Sequence, residues 1–142
     1  MGMSEDYVKN AVICELPKLG FHATSLKTAK QHGCDIVAKN MKVARYFLIE
    51  AKGDPGQLAA NPKSGREVRF LQSVGQLMTR IHPERGYYYG LAYPASYKRL
   101  VTNRLYPGLL KTLKIHLFFV EADGKVEHLT WRKLRDLQAS AP

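Results

Sequence analysis

The stretch HGCDIVAKNMKVARYFLIEAKG, residues 32–53, decides how the chain is read, because two apolar runs of strand length each carry a carboxylate. Asp35 heads the first run, and Glu50 closes the second, followed by Ala51 and Lys52. Runs rich in Val, Ile, Phe and Tyr, separated by polar turn-like residues, predict short strands that look half buried. Successive strand side chains point to opposite faces, so Leu48, Glu50 and Lys52 share one face and Phe47, Ile49 and Ala51 the other. Glu50 and Lys52 then stand about 7 Å apart. If the preceding strand pairs alongside as a hairpin, Asp35 lies opposite them.

Two carboxylates that meet repel unless something neutralises them, and a hard divalent cation with oxygen ligands does so. A lysine cannot ligate that cation, but it can hold and polarise a water or a scissile phosphate. Taken alone, Glu-x-Lys is equally an exposed pair at a strand end with Asp35 in a turn. The combination favours a site: an acid, fourteen intervening residues, then acid-x-lysine, with both acids on apolar strands between two amphipathic helices.

Working outward, SEDYVKNAVICELPKLGF (4–21) predicts a helix with Ser4 as N-cap and Val8, Ala11, Val12, Leu16 and Leu19 at helical spacing. Pro17 and Gly20 end or bend it. FHATSLKTA (21–29), CDIVAKN (34–40) and ARYFLIEAKG (44–53) read as three strands, and GDPGQLAANPKSG (53–65) as an irregular loop. REVRFLQSVGQLMTRIHP (66–83) predicts a helix whose apolar face is Val68, Leu71, Gly75, Met78 and Ile81, stopped by Pro83. GYYYGLAYP (86–94) follows as a buried strand, and ASYKRLVTNRLYPGLLKTL (95–113) as a helix interrupted near Pro107-Gly108. KIHLFFVEADGKVEHLTW (114–131) reads as a hairpin turning at Asp123-Gly124, and RKLRDLQASAP (132–142) as a frayed helix or tail. The order predicts a single α/β domain over 1–142, a mixed central sheet flanked by helices. No Gly-rich phosphate loop follows the first strand, so a Rossmann unit is excluded.

At 142 residues, 45% hydrophobic and 24% charged, the composition is that of one folded domain without low-complexity segments or repeats. No apolar run is long enough to span a bilayer, and MGMSEDYVKN does not read as a signal peptide, so the expectation is a cytoplasmic protein without a membrane partner. Cys14 and Cys34 are spaced for neither zinc nor a redox pair. The net charge is +10, and residues 63–114 supply +8 of it, which points to a polyanion, nucleic acid in preference to lipid. The five histidines show no paired ligand spacing, and Tyr87, Tyr88, Tyr89 and Tyr93 read as strand core and its rim.

The order of ICELPKLGF, GCDIVA, FLIEAKG and LQSVGQLM resembles the PD-(D/E)xK nuclease superfamily, with Asp35, Glu50 and Lys52 standing as acid, acid and lysine. DYVKNAV, IEAKG, QSVGQL and YYYGLAYPASY are similar to its XisH-type branch of small proteins. The resemblance implies a restriction-endonuclease-like sandwich and Mg2+-dependent hydrolysis of DNA phosphodiesters, Mn2+ substituting, with Asp35 and Glu50 as metal ligands. The branch name implies a recombination-linked role, and the alternative to the nuclease is a non-catalytic DNA-binding or recombination/excision accessory on the same scaffold. Cys34 stands where the superfamily has a proline. Related enzymes often draw a further acid from the first helix; Glu5 stands at that place, with Asp6 and Glu15 as rivals. Gln72 and Gln76, four apart on one helix face with Arg69 a turn earlier, would hold a phosphate or orient the lysine. Lys98, Arg99 and Arg104 would follow the DNA backbone. One site per small chain implies a homodimer for double-strand cleavage.

Overall fold

Ser4 accepts a hydrogen bond from the backbone N–H of Tyr7, and helix α1 (Glu5–Glu15) follows directly. A single 3-10 turn, Leu16–Leu19, carries Pro17 at its start and ends on Gly20 at φ 87, a left-handed conformation that glycine adopts without strain. The computed structural model describes residues 2–24, 34–40, 42–43, 45–56 and 61–140. The further elements are β1 (Phe21–Ala23), β2 (Ile36–Asn40), β3 (Tyr46–Ala51), α2 (Pro62–Met78), β4 (Tyr88–Pro94), α3 (Lys98–Arg104), α4 (Pro107–Leu113), β5 (Ile115–Val120), β6 (Val126–Leu129) and α5 (Trp131–Ser140). Residues 25–29 of the first expected strand lie outside the described residues.

The strands form one sheet in chain order, β1 to β6. β1–β2, β2–β3 and β5–β6 pair antiparallel, whereas β3–β4 and β4–β5 are parallel because helices cross between them. The α/β class and the mixed sheet match the order read from the sequence. The last hairpin turns at Gly124, φ 89, as Asp123-Gly124 predicts. The C-terminal stretch is a regular helix that buries Leu134.

Helices cover both faces of the sheet. Val8 and Val12 of α1 and Leu16 of the 3-10 turn pack with Phe47, Ile49 and Phe118 on one face. Phe70 and Leu77 of α2, Val101 of α3, Leu110 of α4 and Leu134 of α5 pack with Leu48, Leu91 and Leu117 on the other. Burying each such side chain contributes about 1.5–3 kcal/mol. β3 is consequently buried on both sides along Phe47–Ala51, not half buried.

Helix α2 departs from expectation twice. It begins at Pro62, inside the expected loop: the Asn61 side chain accepts from the N–H groups of Lys63 and Ser64, and proline suits the first helical position. Its inward face is also a different one. Phe70, Ser73 and Leu77 are buried, while Val68, Leu71 and Met78 are 54%, 55% and 48% exposed; only Ile81 of the expected face packs against the core. Ser73 can face the sheet because its hydroxyl donates to Phe70 O at 2.7 Å and is within hydrogen-bond distance of the buried Tyr93 hydroxyl.

Candidate functional site

Asp35 sits one residue before β2. The register Ile36↔Ile49, continued by one residue, sets it opposite Glu50. Its Oδ2 accepts the Ala51 N–H at 2.8 Å, which fastens the entry of β2 to the end of β3. Glu50 shares the face of Leu48, as strand alternation predicts, and is only 3% exposed. Its Oε1 is buried without a hydrogen-bond partner among the described residues. A carboxylate oxygen left so costs at least about 1–3 kcal/mol. Burial first, then the negative charge of Asp35 and hydrogen bonding with it, push the Glu50 carboxyl up to about 8; Arg80 and Lys52 act in the opposite sense.

Lys52 follows β3 directly, and its N–H donates to Ala92 O at 3.0 Å, holding it beside β4. The next two residues tie this end of the sheet to α1. A Cβ on Gly53 would lie 2.5 Å from Glu5 N, 2.7 Å from Ser4 C and 2.8 Å from Met3 O, so only glycine permits the contact. Asp54 N donates to Met3 O at 2.8 Å, Met3 N donates to Asp54 Oδ2 at 2.7 Å, and the Tyr97 hydroxyl donates to Gly53 O at 2.6 Å. This clamp brings Glu5 to the site. Burial raises the Glu5 pKa most, the Asp35 charge next, and Lys52 opposes both. Of the rivals, Asp6 is exposed and Glu15 pairs with Lys18 at 3.1 Å.

Cys34 is buried beside the pair; burial first and then the Glu50 charge push its thiol up to about 12, which keeps it neutral. Arg80, just past α2, acts electrostatically on both Glu50 and Cys34. The sequence reading counted Arg80 only in the basic stretch, as an alternative DNA footprint, and gave neither Gly53 nor Asp54 a part in the site. Arg80 was within reach of it, because it continues the spacing of Phe70, Ser73 and Leu77; Gly53 and Asp54 carry no local signal of the helix they clamp.

Gln72 and Gln76 are exposed on α2, and Gln72 lines a groove with Arg69, Pro55 and Gly56. Lys98 pairs with Glu127 at 2.8 Å, and Arg104 pairs with Glu67. Arg99 makes no ion pair among the described residues and lines a groove of about 490 Å³ between α2 and α3 with Lys63 and Arg66. His116 and His128 do meet, Nδ1 to Nε2 at 2.7 Å, under Phe118; burial pushes the His116 pKa down to about 4. His32 lies outside the described residues.

Among the described residues, no three His, Cys, Asp or Glu side chains group closely enough to hold a metal ion by themselves. The donors on offer are the paired carboxylates of Asp35 and Glu50. Two carboxylates completed by water are what Mg2+ commonly takes, and the partnerless oxygen of Glu50 beside Asp35 fits such an ion. No helix among the described residues is long and apolar enough to cross a membrane. No protein family model matches the chain, and no curated protein or solved structure matches it.

Proposed function

We propose that the chain is a Mg2+-dependent DNA endonuclease of the PD-(D/E)xK kind, its sheet following the restriction-endonuclease-like plan. The carrying observation is Glu50, a carboxylate inside an apolar strand, set against Asp35 and left with an unpartnered oxygen. A protein that only binds DNA has no use for that arrangement, because like charges and desolvation both oppose it.

Asp35 and Glu50 would hold the ion, with Mn2+ able to replace Mg2+. The ion supplies charge stabilisation at the phosphoryl oxygens and a more acidic bound water. Ala51 N–H fixes the Asp35 carboxylate, so this oxygen donor is preorganised. Lys52 positions the attacking water, and its tether to Ala92 O limits where it can reach. Glu5 faces Asp35 and Lys52 from α1 and is placed to assist in holding water. Arg69, Gln72 and Gln76 of α2 would meet a phosphate of the bound strand, and Lys98, Arg99 and Arg104 would hold flanking phosphates. Scission of both strands by chains with one site each calls for a homodimer.

The test is incubation of the purified chain with supercoiled, linear, single-stranded and branched DNA in Mg2+, Mn2+ or EDTA. Cleavage with either ion, and none in EDTA or in Glu50→Gln, is the expected result. If wild type cuts no DNA with any divalent ion, the accessory DNA-binding reading takes its place.

A further inference from the structure

Tyr106 is the most exposed large apolar side chain among the described residues, at 75%. It is not on a loose loop. It stands between α3 and α4, its carbonyl accepts from Leu109 N at 3.1 Å and Leu110 N at 3.3 Å, and Pro107 follows it at the start of α4. The ring is therefore presented to water on a fixed stem.

Beside it a groove of about 680 Å³ runs between α3 and α5, lined by Lys98, Arg99, Asn103 and Gln138, with Tyr106 among its walls. Arg99 and Asn103 also line the groove toward α2 that carries Lys63, Arg66 and the Arg104–Glu67 pair, so the two grooves meet in one path on which cations outnumber the single acid. Ser96 belongs to both and donates to Asp54 Oδ1 at 2.7 Å, two residues past Lys52. Through Ser96 the path adjoins Asp54, at the end of the sheet where β3 runs into Lys52.

Cations along a groove attract phosphates of any nucleic acid, but an exposed aromatic face is used only by a base whose own face is free. In a duplex, neighbouring bases cover those faces. We infer that this path takes an unpaired DNA strand, Tyr106 stacking on one base while Lys98 and Arg99 hold the flanking phosphates. Resting on the endonuclease reading, the inference makes single-stranded or branched DNA the substrate class of the site.

The experiment measures binding in EDTA, where cleavage plays no part, by anisotropy of a labelled single-stranded oligothymidylate and of a labelled duplex. Tyr106→Ala should weaken single-strand binding about tenfold and leave duplex binding within about twofold, while Tyr106→Phe keeps wild-type affinity. Absence of single-strand binding by wild type, an unchanged Tyr106→Ala, or an equal loss on duplex overturns the inference. A chain that binds single strands through Tyr106 yet cuts no DNA keeps the groove and loses the endonuclease. A chain that cuts DNA while Tyr106→Ala binds as wild type does keeps the endonuclease and loses the groove.

Discussion

Glu50 and Arg104 lie on the same side of the sheet and are treated in opposite ways. Glu50 is sealed among apolar side chains, faces another carboxylate and keeps one oxygen unpartnered; Arg104 stands in solvent and is paired with Glu67. The buried end is strained electrostatically and held by backbone contacts, whereas the basic surface is relaxed and held by side chains in water. Under the proposed endonuclease reading, the first therefore acts through single atoms and the second through summed charge.

The largest effects belong to the buried end. Asp35→Asn and Glu50→Gln are each expected to abolish cleavage together with Mg2+-dependent thermal stabilisation, since the amide keeps the shape and removes the charge that holds a hard cation. Lys52→Ala should keep the ion and lose about two or more orders of magnitude in cleavage rate, measured in single turnover. Full activity of Lys52→Ala would remove the contrast between the two regions at its root.

Gly53→Ala comes next. A methyl group within 2.5–2.8 Å of the Met3–Glu5 backbone has to push α1 away from β3, at a cost of about 1–3 kcal/mol in urea unfolding. An unchanged midpoint would mean that the α1 clamp yields freely.

A pH effect of intermediate size follows from Glu50. Its folded pKa is raised from 4.5 to about 8, so its contribution to stability is fully present below the unfolded value and is lost as pH rises through about 8. Thermal melts in EDTA should show wild type losing stability across that window relative to Glu50→Gln, which keeps the neutral form throughout. Parallel pH profiles would contradict the buried-pair assignment.

The smallest effects are expected on the basic surface. Arg99→Ala should weaken binding of all DNA sequences alike and lower the salt slope by about one. Lys98→Ala and Arg104→Ala should each do less, because their charges are already partly answered by Glu127 and Glu67, and exposed pairs contribute only about 0.2–1 kcal/mol to folding. Equal salt slopes for the three variants would show that the ion pairs open on binding.

Much of the site was legible in the sequence because it rests on local geometry. Strand alternation alone puts Leu48, Glu50 and Lys52 on one face, and apolar runs of strand length set Asp35 at the head of one strand and Glu50 within the next. Ser4 as a cap and Asp123-Gly124 as a turn are likewise local, since each satisfies backbone groups within a few residues. Asn61-Pro62 carried the same kind of signal, although the expected loop overran it. The covered face of α2 is different in kind. The 3.6-residue period fixes which residues share a face, but which face is covered depends on what lies opposite, and Tyr93 offers a hydroxyl to Ser73 that no apolar partner could answer.

The sequence by itself thus determined the element order, the mixed sheet it implies and the acid, acid, lysine set, because these follow from periodicity and from residues close along the chain. Only the tertiary structure decided that Glu5, not Asp6 or Glu15, faces Asp35, that Arg80 joins the cluster, and that β3 is buried on both sides. These depend on contacts across some fifty residues, such as Asp54 with Met3. They are set by the space that glycine leaves at position 53 and by the backbone donors and acceptors that must find partners there.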